Sequence, residues 1–396
     1  MPADPARTAA PPVYAEPSLL LVLTLMLVGA FAFVQVYSVQ SILPQLQQDL
    51  NASVVAIGNA VGATVLAVAL VSPAMGMISD ALGRRWMVVL SVFLLAVPTA
   101  LMTQVETIHS LLVLRFLQGL AVPGVTVVTL AYIGEEFRGP AMVRVMSVYI
   151  TGNVLGGFLG RFLMGHLTDV MSWHAAFGVM AALNLAGAIL IWRVLPPSRH
   201  FVPNARFSEE LKALKSLLRN PAVQAPCALG FTVLFALVGV FTFVNLHLAA
   251  APYHFSSAQL ANVFAVYLLG VVITPLTGRF MPRLGMRRTV LMSVPLSAVG
   301  VALTLLPSAW GIVGALAIAS SGVFITQSAT VSFIAQRVTH GRSLASGLYY
   351  LAYYTGGFAG AWLGGVAYSI AGWPGTVGTL VVVQAVGWVI AWRFLR

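Results

Sequence analysis

Two arginines stand inside long apolar runs, Arg115 in LLVLRFLQGL and Arg161 in GGFLGRFLMG. A buried guanidinium can hold an anion, grip carbonyls or gate a passage, but it cannot serve as a base, because it does not lose its proton. No Asp or Glu lies within any of the apolar runs, so partners for these arginines must come from carbonyls, amides such as Gln118 or Asn153, water or an anionic ligand. For Arg115 the expected role is structural and conformational gating. For Arg161 it is substrate or proton handling, against snorkelling to the outer surface. A second group, Gly76, Asp80, Gly83, Arg84 and Arg85, lies between two runs as GMISDALGRR, and Glu135, Glu136 and Arg144 flank a later junction. Such charges suit ion pairing and capping. Asp80 can accept hydrogen bonds at the start of a neighbouring helix, and Arg85 can pair with Glu135 or Glu136. The third group consists of amides and phenols: Gln35, Asn245, Tyr267, Gln327, Tyr349, Tyr350, Tyr353 and Tyr354. At helical spacing the last four cover one broad face, which serves either packing or a binding cavity. An aromatic and amide lining without acids favours an amphipathic organic molecule over an inorganic ion.

No Walker loop, GxSxG or HExxH occurs, and no metal-ligand cluster stands out, so neither an enzyme nor a cofactor or metal site is expected. Cys227 is the single cysteine, which excludes an internal disulfide. His109, His166, His174, His247 and His254 all fall at or near the ends of runs on one side, where they read mostly as solvated loop residues.

The elements that must hold these residues follow from composition. Of 396 residues 59% are hydrophobic and only 8% charged, with a mean hydropathy of +0.93. Soluble domains carry about 25% charged residues. Soluble enzymes, DNA-binding proteins and disordered chains are thereby excluded. The runs are long and unalternating, unlike the segments of about 10 residues in a membrane β-barrel, so the spans are helices. Apolar periodicity and breakers place twelve, near 19–42, 53–79, 85–103, 109–134, 142–167 and 173–193, then 223–247, 258–280, 287–306, 309–335, 343–369 and 373–393. The expected fold is an all-α polytopic membrane protein. It has a tail at 1–18, a first six-helix half at 19–195, a linker at 196–222 and a second half at 223–396. The linker is expected to carry a short amphipathic helix, Ser208 to Leu218.

With both termini on the cytoplasmic side, 19 of the 21 Lys and Arg residues flank spans on that side, and the other two are Arg115 and Arg161. The net charge of +11 is therefore an orientation signal rather than a nucleic-acid footprint, and the partner is the lipid bilayer.

The halves repeat. Gly156-Gly157-Phe158-Leu159-Gly160 recurs as Gly356-Gly357-Phe358-Ala359-Gly360, Gly165 and Trp173 recur as Gly365 and Trp373, and Phe31–Gln35 recurs as Phe241–Asn245. The stretch Gly76–Arg85 recurs as Gly278–Arg287, with Pro282 in place of the aspartate. Two halves in one orientation are parallel repeats about an axis along the membrane normal. The glycines at 152, 156 and 160 share one helix face and permit close approach of another backbone. Arg161 has only Ala361 at its repeat position.

These segments resemble the major facilitator superfamily of secondary transporters over essentially the whole chain from Leu19. GMISDALGRR resembles its loop signature G-x-x-x-D-x-x-G-R-[RK] between spans two and three, and RFLQG (Arg115–Gly119) its fourth-span motif. GNVLGGFLGR (Gly152–Arg161) sits where the family's exporters carry a Gly-rich fifth-span motif, with Gly157 where those exporters usually place proline. YITGNVLGGFLGR followed by LPPSRHF resembles the YnfM-type branch of drug-exporter-like members. The resemblance implies alternating access in a monomer of the bacterial inner membrane, with export of a small amphipathic molecule against protons. Uptake or facilitated passage of small organic anions through Arg161 is the alternative. It implies a gating set of Gly76, Asp80, Gly83, Arg84, Arg85, Glu135, Glu136, Arg144, Arg115, Gln118, Gly119, Gly152, Gly156 and Gly160. The substrate or coupling set is Arg161, Gln35, Asn245, Tyr267, Gln327, Tyr349, Tyr350, Tyr353 and Tyr354.

Overall fold

Long apolar stretches punctuated by Ser, Thr, Gly and Pro fold into an all-helical bundle in the computed structural model, which describes residues 17–198, 220–337 and 342–395. The expected helix at Ser208 to Leu218 lies outside the described residues. The spans are α1 (Leu19–Asp49), α2 (Val54–Leu82), α3 (Arg84–Leu101), α4 (Ile108–Glu136), α5 (Gly139–Val170), α6 (Trp173–Val194), α7 (Pro221–Ala249), α8 (257–284), α9 (Met286–Leu303) and α10 (Ala309–Arg337). The helical stretch Arg342–Phe394 is broken by non-helical backbone at Ala371 and Gly372, the latter at φ 62°. That left-handed conformation suits glycine, and it divides the stretch into α11 (342–370) and α12 (373–394). Among the described residues eleven helical stretches are long and apolar enough to cross a membrane; the break in the last brings the spans to twelve, as the sequence pattern predicts.

Side-chain caps set several of the starts. Ser18, Ser53, Thr107, Ser172 and Ser256 accept a backbone N–H at the heads of α1, α2, α4, α6 and α8. Along α3, Leu90, Leu94, Val97 and Leu101 form an exposed stripe, the lipid-facing side of a span.

The sequence repeat is a packing repeat. A Cβ at Gly152, Gly156 or Gly160 would run into the carbonyl oxygens of Met26, Ala30 and Val34, so α5 lies backbone to backbone on α1. Gly356 and Gly360 meet the carbonyls of Phe231 and Phe235 in the same way and bring α11 onto α7. At the end of the bundle bearing the chain's arginine-rich turns, the basic end, Arg85 donates to the carbonyls of Leu195 (2.5 Å) and Trp192 (2.7 Å) at the C-terminus of α6. Its repeat partner Arg287 donates to Trp392 (2.9 Å) near the C-terminus of α12. Both cations answer the unpaired carbonyls and negative dipole of a helix end.

Candidate functional site

A cavity of about 430 Å³ lies between the halves. Its walls come from α1 (Phe33, Tyr37), α5 (Tyr149, Asn153, Gly157, Arg161), α8 (Tyr267), α10 (Phe324, Gln327) and α11 (Tyr350, Tyr353, Tyr354). Ser72 of α2, Leu130 of α4 and Ser332 of α10 also line it, which places it in the half of the bundle nearer the basic end. The opposite end is tied across the halves. The Asp169 carboxylate accepts from the Ser256 hydroxyl (3.0 Å) and the Ala258 N–H (3.2 Å) at the head of α8. Gln40 Nε2 donates to Thr242 Oγ1 (3.1 Å), joining α1 to α7, and Gly165 leaves room for Ser257 and Ala261.

Arg161 sits at the upper wall of this cavity, fully buried. Its Nη1 donates to the Gly157 carbonyl one turn back (2.5 Å) and its Nε to Gln40 Oε1 (2.7 Å). The guanidinium carbon lies 4.3 Å from the ring centre of Tyr37, 4.6 Å from Phe264 and 4.4 Å from Tyr267, within cation–π range of three rings. Two short 3₁₀ turns, Ser38–Ile42 in α1 and Phe264–Leu268 in α8, change the helix phase beside it. Ser41 Oγ anchors the first of them to the Arg161 carbonyl (2.9 Å). One nitrogen, Nη2, is buried with no hydrogen-bond partner among the described residues.

Arg115 is equally buried but lies elsewhere, inside the first half. Its Nε donates to Ala60 O (2.9 Å) and its Nη1 to Gln35 O (2.8 Å) and Gln118 Oε1, while Nη2 reaches Val36 O. Gln118 Nε2 continues the net to Thr99 Oγ1 (2.8 Å) and Gln35 Oε1 (3.1 Å). Gly119 fits against the Thr64 carbonyl. Every guanidinium nitrogen here has an acceptor, and the net binds α1, α2, α3 and α4 together.

This geometry redistributes the residues expected from sequence. Tyr267, Gln327, Tyr350, Tyr353, Tyr354 and Arg161 share the cavity. Gln35 does not line it. Two residues along a helix is a 200° rotation, so the face that sends Phe33 and Tyr37 to the cavity sends Gln35 to Arg115. Asn245 is buried in α7 with its amide donated to Phe241 O (2.6 Å). Tyr349 lies behind the lining, its hydroxyl 3.0 Å from Thr330 Oγ1 and its ring over Gly230. At the basic end, Arg84 rather than Arg85 takes the acid. It forms a two-pronged pair with Glu135 (2.8 Å at the closest) and also reaches Ser79. Consecutive helical residues point about 100° apart, so only one of the two arginines can face α4, and Arg85 is left to cap α6. Gly83 closes α2 at φ 85°, while Glu136 and Arg144 stand on either side of the α4–α5 junction. The side chain of Asp80 and the surroundings of Gly76 lie outside the described residues. Tyr37, Gln40 and Phe264 were not singled out from sequence; no local pattern marks them, because they meet Arg161 across more than 100 residues of chain.

A family model described as Major Facilitator Superfamily matches residues 25–357. The inner membrane transport protein YnfM of Escherichia coli is 31% identical, with 94% of this chain and 90% of that protein covered. The chloramphenicol resistance protein CraA of Acinetobacter baumannii is 28% identical over 60% of this chain and 57% of its own. Among solved structures, the nucleoside transporter NupG superposes with a TM-score of 0.78 at 16% identity, over 95% of this chain and all of that one (100%). That likeness concerns the fold alone.

Proposed function

The chain belongs to the Major Facilitator Superfamily, a family of secondary transporters in multi-pass membrane form, and on that premise we propose that it exports a small amphipathic organic molecule by alternating access. The observation that carries this reading is the cavity of about 430 Å³ between the halves, walled by aromatic rings and amides drawn from both. Its volume is that of a site for one small organic ligand. The positive-inside rule assigns the basic end to the cytoplasm, so the cavity faces inward in this conformation and Asp169, with its α8 partners, ties the outer end. Relatives named for inner-membrane transport and for chloramphenicol resistance support a bacterial inner-membrane location and outward transport.

In the cycle, the halves rock about the cavity, the outer ties part, and Asp80 with its neighbours latches the cytoplasmic side. Protons are the coupling ion in this reading. The described lining carries neither carboxylate nor histidine, which leaves the proton to a group outside it or to an acidic substrate. The unit of function is the monomer.

The test is an untargeted comparison of cell contents and medium, with and without expression, using Asp80→Asn as the transport-impaired control. Compounds that build up in the medium only with the unaltered protein support export and supply the substrate. Compounds drawn from the medium reverse the direction in favour of uptake of small organic anions.

A further inference from the structure

Arg161 is a buried cation whose surroundings hold it in place without neutralising it. Tyr37 and Phe264 offer ring faces, Tyr267 a ring face and a neighbouring hydroxyl, Gln40 and Gly157 offer oxygens, and none of these carries a negative charge. Among the described lining residues Arg161 is the one formally charged side chain. A cation in a low-dielectric interior is costly unless paired, and an unsatisfied donor on a charged group costs more than one on a neutral group. Nη2 is that donor, fully buried in a residue that forms part of the cavity wall.

Asn153 lies two turns toward the basic end on the same face of α5 as Gly157 and Arg161, about 12 Å along the axis, and both residues line the cavity. Its Oδ1 is buried against the bare Cα of Gly29 in α1, so Nη2 of Arg161 is the donor left to the cavity. The rings of Tyr37, Tyr267 and Tyr353 line the same space.

Resting on the export reading, we propose that Nη2 of Arg161 is the anion subsite of this cavity and that the cargo is an organic monoanion. A carboxylate or similar oxyanion accepts from Nη2, and a flat apolar body lies among the tyrosine rings. Loading neutralises Arg161 and completes its hydrogen bonding. The three surrounding rings exclude water from that exchange and leave it in a medium where a charge-assisted hydrogen bond is strong.

The test uses purified protein in lipid nanodiscs and a matched pair of probes, 4-hydroxycinnamate and its neutral amide 4-hydroxycinnamamide, compared by equilibrium binding at pH 7. The expected result is that the acid binds at least tenfold more tightly than the amide. Arg161→Met should bring the acid down to the affinity of the amide while leaving the amide unchanged, and Arg161→Lys should keep part of the preference. The probe comparison on the unaltered protein needs no variant to fold. Absence of a preference for the acid, whether both probes bind equally or neither binds, overturns the proposal, as does a preference that survives Arg161→Met. The medium comparison separates the two readings. Exported compounds that are neutral or cationic at pH 7 leave export standing and overturn the anion subsite. A preference for the acid without any exported compound does the reverse.

Discussion

The two halves meet along two seams built from equivalent helices, α5 against α8 and α2 against α11, and the seams are filled in opposite ways. At the end away from the arginines both follow one plan. Gly165 leaves space for Ser257, and Gly365 leaves space for Val55, the residue equivalent to Ser257 in the register of the Gly76–Arg85 and Gly278–Arg287 repeat. One turn deeper they part. In the α2–α11 seam Ala361 packs at 3.1 Å from the Cβ position of Gly62. In the α5–α8 seam the equivalent places hold Arg161 and Phe264, 4.6 Å from guanidinium carbon to ring centre. One seam is a close contact of small residues and serves packing. The other trades that contact for a caged cation, one of whose donors has no partner among the described residues. On the proposed reading, function sits in one copy of a duplicated seam and is left out of the other.

Several substitutions would break or sharpen this contrast. The largest effect is expected from Ala361→Arg, which places a guanidinium against Gly62 with neither the ring cage nor the Gln40 oxygen. An uncompensated buried charge costs about 3–5 kcal/mol, so the variant should fail to accumulate in membranes or lose its melting transition in detergent. An unchanged melting temperature would mean that the small-residue seam tolerates charge after all. Next comes Arg115→Met. Its nest ties four helices of one half and does not line the cavity between the halves, so about 3 kcal/mol of stability should go, while folded protein should bind the acid probe as the unaltered chain does. Weakened binding by that folded fraction would place Arg115 in the substrate path.

Gly156→Leu and Gly360→Leu test the part of the plan that both halves share. Each forces apart two helices in backbone contact and should cost about 1–3 kcal/mol, to a similar extent, read as paired shifts in melting temperature. A large difference between them would show that the α1–α5 and α7–α11 contacts are not equivalent. The smallest effect belongs to Asp169→Asn, which keeps the shape of the outer tie and removes its charge from the head of α8. A carboxylate at a helix N-terminus contributes about 0.3–1 kcal/mol, so the outward-open share should rise about two- to fivefold by the same figure. Labelling of Gln327→Cys in a Cys227→Ser background by an impermeant maleimide measures it. Unchanged labelling would show that Asp169 does not hold the gate.

Much of this architecture is carried by local sequence. Helix number and the pairing of glycine faces depend on neighbours within a few residues and on a solvent that demands closed hydrogen bonding, and they are legible in the long apolar runs and at Gly152, Gly156 and Gly160. The repeat exposed the symmetry, and the missing Arg at 361 pointed to the seam where the symmetry fails. From sequence Arg115 and Arg161 take different expected roles, but what holds each of them could not be read by the same means. Both are single arginines in apolar helices with no acid nearby, and the difference between them lies in what faces them: carbonyls of α1 and α2 for the first, rings brought by two 3₁₀ turns for the second. The same holds for Arg84 and Arg85, and for Gln35, which turned away from the cavity by the rotation of its helix. Local periodicity determined that the chain is a twelve-span bundle of two like halves. Only the tertiary structure decided which buried guanidinium has an acceptor for every nitrogen and which keeps one nitrogen without a partner among the described residues, because that depends on helix rotation and on residues more than 100 positions apart, to which a local pattern is blind.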